Sequence, residues 1–175
     1  MKHNEPRRGK GAATRLQAAA IGVMAAAMAA CSSVDCPVQN TVYTVYGLYK
    51  PDGERDTLSD TLTIATTRRD GTDSVLLNRS VNTTQFDLPI SYTDAEDTLF
   101  FTISDTLMNT TIDTVYVTKE NYPHFESVDC NISFFHYITA VRHTGHAIDS
   151  IAVNKQHVDY DVSTEHFHLY LKARH

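Results

Sequence analysis

Tryptophan is absent from the 175 residues, and glycine, proline and cysteine are scarce at 7, 5 and 3. The few glycines form no Gly-rich phosphate loop and no Gly-x-Ser-x-Gly nucleophile elbow, and no His-Glu-x-x-His pair occurs. Three cysteines without a Cys-x-x-Cys spacing do not make a zinc knuckle. Basic charge is also short: 15 Lys and Arg face 21 Asp and Glu, a net charge of −6. Such a chain suits neither nucleic acid nor an anionic lipid surface. These absences predict a protein that is not an enzyme and has no cofactor.

One apolar run is present, and it lies at the start. Lys2, Arg7, Arg8, Lys10 and Arg15 precede Ala18–Ala30, where every residue is apolar or glycine. A basic stretch, a short apolar core and small residues at its end make the pattern of a secretory signal. At 1.5 Å per residue the run rises about 20 Å as a helix, short of a ~30 Å hydrocarbon core. The run ends Met28-Ala29-Ala30-Cys31, which resembles a bacterial lipobox, with Met28 in place of the usual Leu. The resemblance implies cleavage before Cys31 and acylation of its thiol. Two or three acyl chains anchor stably where one is marginal. The other reading is an ordinary signal cut near Ala30, with Cys31 a free thiol. The expected organisation is a signal peptide over 1–30, a lipidated tether over 31–40 and one β-sandwich domain over 41–175. Losing the signal takes five basic residues and Glu5 with it, and the net charge goes from −6 to −10.

With Cys31 acylated, Cys36 and Cys130 remain as an even pair in an oxidising compartment. A bridge between them would add about 4–5 kcal/mol in the chain-entropy picture. Two separate buried thiols are the alternative.

The mature region reads as short β-branched and aromatic runs divided by turn residues. The expected strands are 41–49, 61–67, 74–78, 85–90, 98–103, 111–118, 133–142, 147–153 and 165–172. Asp70-Gly71 between two such runs marks a hairpin. Alternation points Phe86, Leu88 and Ile90, and likewise Leu99, Phe101 and Ile103, to one side. About nine strands at this spacing predict an all-β fold, an antiparallel β-sandwich of immunoglobulin-like type in preference to a closed barrel. Tyr43 and Tyr49 share a face of the first strand, and Tyr46 takes the other with Val42 and Leu48. Core packing is the favoured role for these rings, and an exposed docking face is the alternative.

Asp-Ser/Thr-aliphatic recurs seven times, with hydroxyls at Thr57, Thr61, Ser74, Thr98, Thr106, Thr114 and Ser150. An Asp that ends a turn, followed by a strand-forming pair, explains the pattern structurally. The tripeptide also resembles the O-glycosylation acceptor of Bacteroidota envelope proteins, which makes these hydroxyls glycosylation candidates.

Longer stretches carry a broader resemblance. They include the Cys-Pro after the signal, residues 40–43, Asp-Gly-Thr-Asp-Ser-Val-Leu-Leu-Asn-Arg-Ser-Val (70–81), Pro-His-Phe-Glu-Ser-Val-Asp-Cys (123–130) and Ser-Thr-Glu-His-Phe-His (163–168). Together they resemble a family of Bacteroidota lipoproteins grouped under a domain of unknown function. The resemblance implies a lipid anchor and a β-rich domain, and no activity. Surface-exported lipoproteins of such bacteria carry an acidic run after the lipidated Cys. Ser32-Ser33-Val34-Asp35 has one acid, which favours the periplasmic face of the outer membrane.

Eight of the nine histidines fall between His124 and His175. On a strand His166 and His168 would share a face, as would His124 and Glu126. Were the two segments adjacent, three imidazoles and a carboxylate could hold a metal such as Zn²⁺. The stronger reading is a polar strand face. The sequence as a whole predicts an envelope lipoprotein acting as a structural or binding module. Its partners would be the membrane, through the lipid, and another envelope protein or a glycan. A periplasmic metal-binding protein is the alternative.

Overall fold

A computed structural model describes Cys36 and residues 41–173. Among the described residues there is no helix. The strands are β1 (Tyr43–Tyr49), β2 (Thr61–Thr67), β3 (Asp73–Ser80), β4 (Gln85–Pro89), β5 (Glu96–Ser104), β6 (Thr110–His124), β7 (Ser133–His143), β8 (Ile148–Val153), β9 (His157–Val158) and β10 (Phe167–Leu171). They form a four-stranded sheet, ordered β4-β1-β10-β8, and a six-stranded sheet, ordered β3-β2-β5-β6-β7-β9. The expected all-β sandwich is present, with ten strands rather than nine. The added one is β9, two residues that pair with His136 and Tyr137 of β7. All pairings are antiparallel except β1 with β10, which run parallel.

The core is built by alternation. Phe86 and Leu88 of β4, Leu99, Phe101 and Ile103 of β5, and Phe167 and Leu169 of β10 are all buried. Tyr46 fills the centre, stacked on Phe86 at 5.0 Å and on Phe167 at 4.6 Å, with its edge toward Phe101 at 6.1 Å. Tyr46 thus takes the core role, whereas Tyr43 and Tyr49 are half-buried. A register shift between Tyr170 and Leu171 interrupts the alternation of β10, and Leu171 is half-buried rather than core. The Asp70-Gly71 hairpin forms as its residues require. Gly71 takes φ 80°, and Asp70 accepts from the Thr72 N–H at 2.9 Å.

β6 is longer than its apolar run, reaching His124 instead of Thr118. It continues because Lys119 faces inward, in phase with Val115 and Val117, and finds a partner there. Its Nζ lies 2.8 Å from Asp97 Oδ1 and donates to the Asp94 carbonyl at 3.0 Å. A buried lysine without such a partner would cost several kcal/mol. Burial pushes the Asp97 carboxyl above its ordinary range, against the pull of Lys119.

Candidate functional site

The long β6 carries side chains beyond the core to the far end of the six-stranded sheet. Register places Tyr122 opposite Phe135 and Glu120 opposite Tyr137, and Tyr137 opposite His157. Their inward neighbours His136, Ile138 and Val158 are buried, so these side chains line the outer face. His124 stacks on Phe135 at 4.0 Å between ring centres, and Tyr160 stands edge-on to Phe135 at 5.1 Å. His157 lies edge-on to Phe135 at 6.1 Å and parallel to Tyr122 at 6.4 Å.

Polar contacts hold the edges of this ring cluster. Tyr160 donates to the hydroxyl of buried Ser133, and Tyr137 to Gln156 Oε1 at 2.7 Å. His124 Nε2 lies 2.9 Å from Glu126 Oε1, and His157 Nε2 lies 3.4 Å from Asp159 Oδ2. Partial burial, with Glu120 and Tyr137 nearby, raises the Tyr122 hydroxyl pKa. A face of rings with hydrogen-bonding edges has the chemistry to stack against a sugar or an apolar side chain and to bond its polar groups. Beside it lies the β6–β7 loop, where Phe125, Val128 and Ile132 are exposed. The Cys36–Cys130 disulfide closes on this loop, with Cα atoms 5.4 Å apart, and so joins the predicted cysteine pair.

Residues 61–171, from the start of β2 to the end of β10, match DUF6452, a family of unknown function. The chain belongs to the DUF6452 family. No curated protein and no solved structure matches it. The family's span contains the whole ring cluster, the apolar loop and Cys130, while β1 and Cys36 precede it.

The histidine expectation needs correction. His124 and Glu126 meet at the end of β6, in the six-stranded sheet, whereas His168 belongs to β10 in the other. His166 lies just before β10 and is fully buried, its Nδ1 accepting the Val45 N–H at 3.0 Å. Burial lowers its pKa, with the Lys155 charge adding to the effect. The four residues do not converge, and among the described residues no group of three or more His, Cys, Asp or Glu is placed to hold a metal. His166 and His168 do not share a strand environment. The chain segment holding His166 packs onto β1 before β10 begins.

His168 belongs to a different cluster that the sequence reading missed. The Glu165 carboxylate lies directly over Gly47 of β1, where any Cβ would collide with it. It accepts from Tyr49 Oη at 2.7 Å, pairs with Arg55, and lies 3.5 Å from His168 Nε2. The hydrogen bond to Glu165 raises the Tyr49 pKa. Gly47 inside a strand was the available signal, since glycine there marks a close approach.

The tripeptide repeats divide. Asp97 pairs with Lys119, Asp105 accepts from the Leu107 and Asn109 N–H groups at 2.8 Å each, and Asp113 organises a loop. That loop joins β7 to β8. Asp113 is buried, and its Oδ1 accepts from Thr144 Oγ1 at 2.8 Å and His146 N at 2.7 Å. Its Oδ2 accepts from Ala147 N at 2.6 Å and Ile148 N at 2.8 Å. Burial pushes the Asp113 pKa up, but these donors outweigh it and bring it down to about 2. Of the seven hydroxyl residues, Thr57, Thr106 and Ser150 are exposed, while Thr61, Ser74, Thr98 and Thr114 are half-buried. Cys31, the signal and most of the tether lie outside the described residues.

A second histidine that went unnoticed is His136, on the inward side of β7. Its Nδ1 lies 2.7 Å from Asn121 Oδ1. Burial, with the Lys119 charge nearby, lowers its pKa to about 4. It stays neutral at physiological pH and serves the core.

Proposed function

We propose that the chain is a lipoprotein of the bacterial envelope, tethered through Cys31, whose sandwich is a binding module and not a catalyst. The anchor reading is supported by the basic start, the apolar run Ala18–Ala30 and the small residues before Cys31. The periplasmic face of the outer membrane is the proposed location. One observation carries the binding reading: the outer-face cluster of Tyr122, His124, Phe135, Tyr137, His157 and Tyr160. A ring surface of this kind serves recognition more readily than folding, because most of its rings already stand outside the core. The buried acids, by contrast, are engaged: Asp97 by Lys119 and Asp113 by backbone donors. The partner would be an envelope protein or a glycan.

Two measurements test this reading. Intact mass of protein extracted from its own envelope should match Cys31–His175 plus acyl chains, less two hydrogens for the disulfide. Hexose adducts in the same spectrum would mark Thr57, Thr106 and Ser150 as the accessible acceptors. A photocrosslinker at Tyr137 should give one discrete adduct that Phe135→Ala abolishes, while a crosslinker at exposed Val75 on β3 should not. An unacylated chain would end the anchor reading. Equal labelling from both positions would end the binding reading.

A further inference from the structure

β6 runs 15 residues and has an exposed apolar tip at each end. At its start, the β5–β6 turn presents Leu107, 80 % exposed, and Met108. At its finish, the β6–β7 loop presents Phe125, Ile132 and Val128, the last 99 % exposed. At about 3.3 Å per residue the two tips stand about 50 Å apart. Such exposure at a loop apex is costly in water and calls for a covering surface.

The disulfide distinguishes the tips. Cys36 is bonded to Cys130, within the second loop and two residues from Val128. Four residues separate Cys36 from Cys31, so the leash of five Cα–Cα steps spans at most about 18 Å when fully extended. Without the bridge the leash would run to Thr41, at the start of the sandwich. The loop's charged residues are the acids Glu126 and Asp129, and Glu126 is occupied by His124. Apolar side chains beside acids fit a neutral headgroup layer better than an anionic one.

We infer that the β6–β7 loop is the membrane-facing tip of the domain, with Val128 and Phe125 seated in the zwitterionic headgroup layer beside the Cys31 lipid. This inference rests on the tether reading above. It adds an orientation: β6 runs toward the membrane, with Leu107 at its distal end. The ring cluster then sits close to the bilayer, where it meets partners held at the membrane surface.

The absence of tryptophan supplies the test. Val128→Trp and Leu107→Trp each create a single-tryptophan protein at a site already open to solvent. The acylated, disulfide-intact proteins are reconstituted into phosphatidylethanolamine–phosphatidylcholine vesicles, some carrying brominated acyl chains. Intact mass confirms the acyl groups first. The Val128→Trp emission should shift to the blue and be quenched by bromine, and the Leu107→Trp emission should do neither. Acylated protein with no quenching at position 128, or with quenching at 107 instead, overturns the orientation and leaves the tether standing. Protein that carries no acyl group overturns both.

Discussion

Replacing Asp113 by Asn changes one oxygen into an NH₂ group at almost constant volume. The carboxylate is 1 % exposed and accepts from four donors, two on each oxygen, and the His146 Nδ1 lies a further 3.2 Å from Oδ1. The amide keeps one acceptor, so one pair of donors survives. The other pair faces an N–H donor and loses its partner. Bonds to a charged acceptor are worth roughly 1.5–3 kcal/mol each, so the loss should be about 4 kcal/mol. Urea unfolding at pH 7, followed by circular dichroism with the disulfide intact, measures it. The pH dependence gives a second reading. The native pKa of about 2 lies below the ordinary 3.8, so this stabilisation is complete above pH 3.8 and disappears as pH falls through 2. A shift of that size is worth about 2.5 kcal/mol. The stability gap between the two proteins should therefore narrow by about 2 kcal/mol between pH 5 and pH 2, where the native carboxyl is half protonated. A gap below about 1 kcal/mol at pH 7, against the ordinary worth of even one such bond, would refute the clamp, as would a gap unchanged by acid.

His136 should act in a separate window. Its native pKa of about 4 lies below the ordinary 6.5, so the unfolded chain binds the extra proton first. Stability should be full above pH 6.5 and fall by about 3 kcal/mol as pH drops toward 4, and His136→Gln should flatten that slope in unfolding titrations. Gly47→Ala drives a methyl into the Glu165 carboxylate and should cost about 1–3 kcal/mol. Adding Glu165→Ala should recover part of that in thermal melts; no destabilisation by the single variant would show the contact to be loose. Replacing Cys36 and Cys130 together by Ser should lower stability by about 4 kcal/mol, from the freed span of 94 residues. An unchanged melting temperature would contradict that.

Much of the fold was legible because strand alternation is local. Phe86 and Leu88, and Leu99, Phe101 and Ile103, show their inward side within a few residues of sequence. The hairpin at Asp70-Gly71 was equally readable, since its turn chemistry sits in two adjacent residues. The site was less legible. Lys119 looked like the end of a strand because its partner Asp97 lies on β5, 22 positions earlier. Tyr122 and Pro123 then fell outside the expected strand, and the ring cluster went unseen. Its ring contacts join residues 11 to 36 positions apart, which only the register of β6, β7 and β9 brings together.

The sequence by itself determined what depends on short spacing: an all-β chain, the turns, the inward faces and an even cysteine pair after Cys31. Tertiary structure decided everything that depends on which strands become neighbours. It set β1 parallel to β10, although 117 positions separate Tyr49 from His166, and the junction buried His166 while leaving His168 on the outer face. It also turned Asp113 from one repeat among seven into the anchor of a loop more than 30 residues away. The physical reason is that hydrogen-bonded strand pairing is long-range. A side chain's period shows which way it points, but only the partner strand shows what it meets.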